Sequence, residues 1–212
     1  MVYNFKNDYT EGVHPRILET LKKTNMEQHE GYGEDRHCKE AIYLLRQKIN
    51  NFNADIHFVS GGTQTNAIVI SSVLKPYESV ISTTSGHIST HEAGAIEHAG
   101  HKINEVESLD GKLTCKNIQS VLDAHSDEHM VKPKLVYISN ATETGTFYKK
   151  NELEALSIFC KSKGLLLYLD GARIGSALCS QDNDLTLAQL SQWVDVFYIG
   201  GTKNGAMLGE AI

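Results

Sequence analysis

Long apolar runs, cysteine pairs, basic clusters and prolines are all scarce in this sequence, and each shortage narrows what the chain can be. No stretch approaches the roughly 20 apolar residues of a membrane-spanning helix. The start, MVYNFKNDYTEGVHP, has neither the charged n-region nor the apolar h-region of a secretory leader, so a cytoplasmic protein is expected. Cys38, Cys115, Cys160 and Cys179 are scattered with no C-x-x-C pair, which fits thiols in a reducing compartment better than a disulfide framework. The sequon Asn140-Ala141-Thr142 is therefore expected to stay unmodified. A net charge of -6 and the absence of any basic run give no electrostatic reason for nucleic acid or an anionic membrane as partner. The three prolines are expected to lie outside helices and strands. What remains, 212 residues with 41% hydrophobic content, suits one sizeable core, or one core with a small appendage.

Apolar spacing predicts helices over 15–23 and 36–50, then a short strand at 56–59 running into Ser60-Gly61-Gly62-Thr63-Gln64-Thr65-Asn66 and a helix over 67–74. The alternation continues with strands at 79–82, 102–106, 135–139, 165–169 and 194–199. Between them the pattern predicts helices at 88–99, 115–124, 151–163 (closed by Gly164) and 185–192. Short apolar strands alternating with helices are the signature of a layered α/β fold, here three layers, α/β/α, around a mostly parallel central sheet. No repeat, low-complexity segment or linker interrupts it.

Chemistry concentrates at predicted strand ends, where open α/β sheets bind ligands. Lys203 lies in the loop YIGGTKNG after the 194–199 strand, and Asp170-Gly171-Ala172-Arg173 leaves the 165–169 strand. Taken singly, a lysine in a glycine-rich loop is usually solvated and Asp-Gly is a turn signal. Together they suggest pyridoxal phosphate, whose aldehyde bonds a lysine and whose pyridine nitrogen needs a carboxylate to stay protonated. The loop is not a Walker A motif, since its glycine spacing differs. Gly61, Gly62 and Thr63 open a helix and offer backbone N–H groups to a phosphate, or else simply make the turn and cap. His87 and Glu92 start the next helical stretch and can face the same crevice. His87 and His91 have a metal-ligand spacing, but the order is H-x-x-x-H-E, not H-E-x-x-H, and no third ligand can be placed, so no metal is expected.

In order along the chain, YGED at 32–35, SGGTQTN at 60–66, GHI and HEAGA within 86–95, DGAR at 170–173 and GGTKNG at 200–205 resemble the threonine aldolase and β-eliminating lyase family. This family belongs to the aspartate-aminotransferase superfold of pyridoxal-phosphate enzymes, fold type I. The resemblance implies that Lys203 carries the cofactor, Asp170 keeps its ring nitrogen protonated, Gly61, Gly62 and Thr63 hold the phosphate and His87 stacks on the ring. It places Arg173 near the ring's phenolic oxygen or the substrate carboxylate, with Glu92 and Tyr32 as further substrate-side residues, Tyr32 approaching a neighbouring subunit's site. The implied activity is retro-aldol cleavage of a β-hydroxy-α-amino acid of the threonine type to glycine and an aldehyde. His87, or a water held by Glu92, would be the base, and the assembly would be a homodimer or homotetramer. The alternatives are another lyase or an aminotransferase of the same fold, or a catalytically silent cofactor-binding or oligomerisation module.

Two departures from the family qualify this. The family usually shows an Asn-Thr-His-like run followed by glycine where this chain reads Asn140-Ala141-Thr142-Glu143-Thr144-Gly145, so the substrate-side wall is expected to differ. The sequence also stops at Ile212, where the family continues into a C-terminal small domain. Residues 1–212 are thus expected to be the cofactor-binding large domain, with strand 209–212 left unpaired at the sheet.

Overall fold

The computed structural model describes residues 3–8 and 11–212; of the polar start, Met1, Val2, Tyr9 and Thr10 lie outside the described residues. Helix α1 (Pro15–Thr24) begins with Pro15 at its first position, where the missing N–H costs nothing. Helix α2 (Arg36–Ile49) is capped by the Asp35 carboxylate, which accepts from Cys38 N–H at 2.9 Å, and stops at Asn50 in the left-handed conformation. No α1 residue is buried. The connector to α2 is fastened by Glu27, whose Oε2 takes Arg36 at 2.6 Å and the His29 and His37 rings at 3.0 Å each.

Next come β1 (Phe58–Val59), α3 (Gly62–Val73), β2 (Glu78–Thr83), α4 (His87–Thr90), α5 (Ala95–His98), β3 (Lys102–Val106), α6 (Cys115–Ala124) and β4 (Lys132–Ser139). They are followed by α7 (Lys150–Lys163), β5 (Leu166–Asp170), α8 (Ile174–Leu178), α9 (Leu187–Trp193), β6 (Val196–Phe197), β7 (Ile199–Gly200) and β8 (Glu210–Ala211). Five strands run parallel in the order β3-β2-β4-β5-β6. A second, three-stranded sheet has the order β1-β8-β7, and Tyr198, whose N–H donates to Leu169 O at 3.3 Å, is the one residue between β6 of the first sheet and β7 of the second.

Alternation along the buried strands sorts the core into two layers. Ile81, Val136, Ile138, Leu167 and Leu169 face one way, onto Ile118 of α6, Leu153, Leu156 and Cys160 of α7, and Leu190 of α9. Val80, Leu135, Tyr137, Tyr168 and Tyr198 face the other way, onto Val69 and Ile70 of α3 and onto Ile88 and Ile96. Each such aliphatic side chain, fully buried, contributes roughly 1.5–3 kcal/mol. The second layer is unusual in carrying three tyrosines whose hydroxyls must find partners, and those partners form the site.

Four expectations need correction. The single helix over 88–99 is two one-turn helices, because Ala93 (φ 50°) and Gly94 (φ 74°) are left-handed and break the spiral. The strand over 194–199 is interrupted at Tyr198. Pro133 lies inside β4, opposite Ser79, where the pairing with β2 shifts register before Val80 meets Leu135, and Pro15 is the first residue of α1. The end strand is not open: β8 pairs antiparallel with β1 on one side and β7 on the other, and Ile212 and His57 exchange backbone bonds at 2.8 and 3.1 Å.

At the heart of the first layer, buried Tyr148 accepts the Leu113 backbone N–H at 2.7 Å. Tyr148→Phe leaves that buried donor unpaired and is expected to lower stability by about 1–3 kcal/mol. Urea unfolding checks this; an unchanged midpoint would show that the N–H finds water.

Candidate functional site

Asp170 ends β5 with a buried carboxylate, and four donors meet there. Oδ2 accepts Tyr137 OH at 2.6 Å and Asn66 Nδ2 at 3.1 Å, while Oδ1 accepts Tyr198 OH at 2.5 Å and Ala172 N–H at 3.0 Å. The approach of β7 to the end of β5 requires Gly171: a Cβ there would stand 1.8 Å from Tyr198 O. Burial, reinforced by the Asp170 charge, pushes the Tyr137 and Tyr198 hydroxyls well above the ordinary phenol range, so both remain donors.

Asn66, on α3, joins this carboxylate to a second one. Its Nδ2 donates to Glu92 Oε1 at 2.6 Å as well as to Asp170, and its Oδ1 accepts Tyr168 OH at 2.7 Å. Glu92 Oε1 in turn meets His87 Nδ1 at 2.7 Å. The carboxylate assigns the ring proton to Nδ1 and leaves Nε2 as an acceptor in the neutral ring. The left-handed turn at Ala93 and Gly94 directly follows this inward-facing Glu92.

Lys203 sits in the 3-10 turn Thr202–Asn204, which closes at left-handed Gly205. Its amine is pushed below the ordinary lysine range by burial first and by neighbouring Arg173 second. Arg173 pairs with Asp8, and Asp8 Oδ2 is 3.9 Å from Lys203 Nζ. Helix α3 starts at Gly62 with no side-chain cap on its first turn, and its first helical bond is Thr65 N–H to Gly61 O. The preceding N–H groups stay available to an anion. Gly62 packs closely under Tyr198, where a Cβ would make a tight 3.1 Å contact with the hydroxyl.

Gly61, Gly62, Thr63, His87, Asp170, Arg173 and Lys203 thus line one cleft of about 300 Å³. A second cleft of about 340 Å³, between α2 and β6, is lined mainly by apolar side chains, with Asn51, Asp55, Ser191 and Asp195 and no amine or imidazole. Chemistry, not size, singles out the first. Glu92 is brought to the site but behind it: its side chain is fully buried under His87 and does not line the cleft. Without exposure it cannot hold a water against a substrate. Tyr32 is fully exposed, with a left-handed backbone, and stands outside this chain's own cleft. Sequence reasoning missed Asn66, Tyr137, Tyr198, Glu143, Glu210 and Asp8. Asn66 and Tyr198 lie inside motifs it had singled out, whereas Tyr137 looked like one more strand residue and Asp8 gave no signal.

The sequence matches the family described as "Beta-eliminating lyase" over residues 6–211. The chain belongs to that family. It is 37% identical over 213 residues to a low specificity L-threonine aldolase of Pseudomonas sp. (strain NCIMB 10558), covering 98% of this chain and 60% of that protein. A solved structure of Leishmania major threonine aldolase superposes with a TM-score of 0.98 at 55% identity, over 99% of this chain and 61% of that one. The chain therefore spans about 60% of the length of these relatives. An aromatic aminotransferase of Pyrococcus horikoshii, 20% identical with a TM-score of 0.73 over 95% of this chain and 56% of that one, shares the fold.

Since one buried amide serves both carboxylates, Asn66→Ala is expected to destabilise the beta-eliminating lyase fold by about 3 kcal/mol, well above a typical point substitution. Denaturant unfolding measures it. A loss under about 1 kcal/mol would mean the two carboxylates do not depend on Asn66.

Proposed function

We propose that this protein is a pyridoxal-phosphate-dependent aldolase that cleaves β-hydroxy-α-amino acids of the threonine type to glycine and an aldehyde. The observation that carries the reading is the meeting of Lys203, Asp170 and the uncapped start of α3 around one cleft. These groups fit the cofactor's three chemical handles: an amine for its aldehyde, a carboxylate for its ring nitrogen and free N–H groups for its phosphate. When bound, the cofactor supplies an electron sink for the bond broken at the substrate's Cα.

The chain's own residues do the rest. Lys203, its amine shifted toward the neutral form by burial, would be the residue that holds the cofactor through its aldehyde and yields that place to the substrate's amino group. Asp170, held by four donors, keeps its charge aimed at the ring position. Gly61, Gly62 and Thr63 would hold the phosphate through backbone N–H groups at the uncapped start of α3. His87, fixed by Glu92, would stack on the ring. Arg173 offers a planar cation to the phenolic oxygen or the substrate carboxylate, and Asp8 holds it in place. In this reading residues 1–212 form the cofactor-binding large domain and work in the cytoplasm as a homodimer or homotetramer, with Tyr32 reaching a neighbouring subunit.

Support for aldol cleavage in particular comes from the named activities of the relatives. A β-eliminating lyase of the same fold would release ammonia and a keto acid in place of glycine and an aldehyde, and an aminotransferase would yield a keto acid with the amino group passed to an acceptor and no ammonia set free. A silent cofactor-binding module would colour without turning over any amino acid.

The test has two arms. Borohydride treatment of the cofactor-loaded protein is expected to leave a pyridoxyl group on the Lys203 peptide, and incubation with threonine to release glycine. Asp170→Asn should retain bound cofactor while losing turnover by about 100-fold or more. A label on another lysine, or full turnover without the Asp170 carboxylate, contradicts the assignment.

A further inference from the structure

Most ionisable groups in the cleft already have a charged or multiple-bonded partner. Asp170 takes four hydrogen bonds, His87 is tied to Glu92 and Arg173 to Asp8. Glu210 accepts Gly201 N–H at 3.0 Å and Thr202 Oγ1 at 3.1 Å. Glu143 differs. Its side-chain partner is a neutral hydroxyl, Ser139 Oγ at 2.9 Å, and no ion pair to it is found among the described residues.

The loop carrying Glu143 is tightly braced. Asn140 N–H donates to Asp170 O at 3.0 Å, Thr142 N–H to Thr146 O at 2.8 Å, and Tyr148 N–H to Asn140 Oδ1 at 3.2 Å. Thr144 and Thr146 hydroxyls both bond Asp110 O, at 2.8 and 2.6 Å. A carboxylate on so well held a loop, lining the same cleft as Lys203, has a fixed address.

We propose that Glu143 is the catalytic base that takes the proton from the substrate's β-hydroxyl, a role that rests on the aldolase reading. The O–H electron pair becomes the second C–O bond of the departing aldehyde, and the Cα–Cβ pair stays with Cα, drawn toward the pyridoxal-phosphate ring. A proton then returns to Cα, completing glycine, so one β-hydroxy amino acid yields one aldehyde and one glycine. A water held by Glu92 is not placed for this step, because the Glu92 side chain is fully buried and does not line the cleft.

The electrostatics agree. Burial raises the Glu143 carboxyl above the ordinary range and the Asp170 charge adds to this, while its own backbone N–H, Ser139 and Arg173 oppose it. Lys203, His87, Tyr137 and Tyr148 are the other titratable groups around it, from the 3-10 turn, α4, β4 and the segment before α7. A base displaced toward neutrality is suited to accept and then release a proton.

The test uses the full chain loaded with pyridoxal phosphate, with threonine as substrate and glycine as a ligand lacking the hydroxyl. Glu143→Gln is expected to lower kcat by about 100-fold or more while leaving glycine affinity unchanged. Wild-type kcat/KM should rise with pH along an acid limb that Glu143→Gln lacks, and Glu143→Asp should recover part of the rate. In the cofactor-free protein, carboxyl 13C NMR should give Glu143 a midpoint above the ordinary glutamate value. Full kcat in Glu143→Gln overturns the proposal, as does a fall in kcat matched by an equal loss of glycine binding. Wild-type protein that releases no glycine overturns the aldolase reading itself, a distinguishable result.

Discussion

A buried carboxylate at the end of a central strand must be neutralised or supplied with donors, and the way this protein supplies Asp170 organises much of the molecule. Its donors come from β4, α3, the residue between β6 and β7, and the turn after β5. Each fixes a different element relative to the same two oxygens. The three tyrosines that look misplaced in an apolar layer are there for this purpose: Tyr137 and Tyr198 donate to Asp170 directly, and Tyr168 orients the amide that does so. A site assembled in this way is formed before any ligand arrives, as a preorganised binding site requires.

From Asp170 the network extends through Asn66 to Glu92 and His87, so that the face and edge of the prospective cofactor position are set by one connected set of bonds. Glu92 Oε2 is buried with no partner among the described residues. The unpaired oxygen marks where the network carries local cost, which buried polar groups at functional sites often do. On the opposite wall, Asp8 brings the N-terminal segment onto Arg173 and Lys203, and links the start of the chain to the strand-end groups of its second half.

Much of this was legible in the sequence because the relevant signals are local. Periodicity gave the α/β alternation and the parallel sheet, and the strand-end positions of Asp170 and Lys203 follow from short apolar runs ending in glycine turns. The seven residues expected to touch the cofactor do share a cleft. What escaped was set by non-local pairing. Nothing within 88–99 reveals that Ala93 adopts a left-handed backbone, because that turn goes with Glu92 accepting a bond from Asn66, 26 residues away. The end strand looked open because its partners, β1 and β7, lie on both sides of it only after the chain has folded. Glu143 read as a mere departure from a family pattern until the cleft showed what it faces.

If Asp170 is the hub, the hydroxyls of Tyr137 and Tyr198 must be energetically coupled through it, since removing one leaves the carboxylate more dependent on the other. A double-mutant cycle of Tyr137→Phe and Tyr198→Phe, read by urea unfolding at neutral pH, measures that coupling without any cofactor. The account predicts non-additivity of about 1 kcal/mol or more. Additivity within about 0.3 kcal/mol would contradict it, and would mean that the two tyrosines serve the core independently of Asp170.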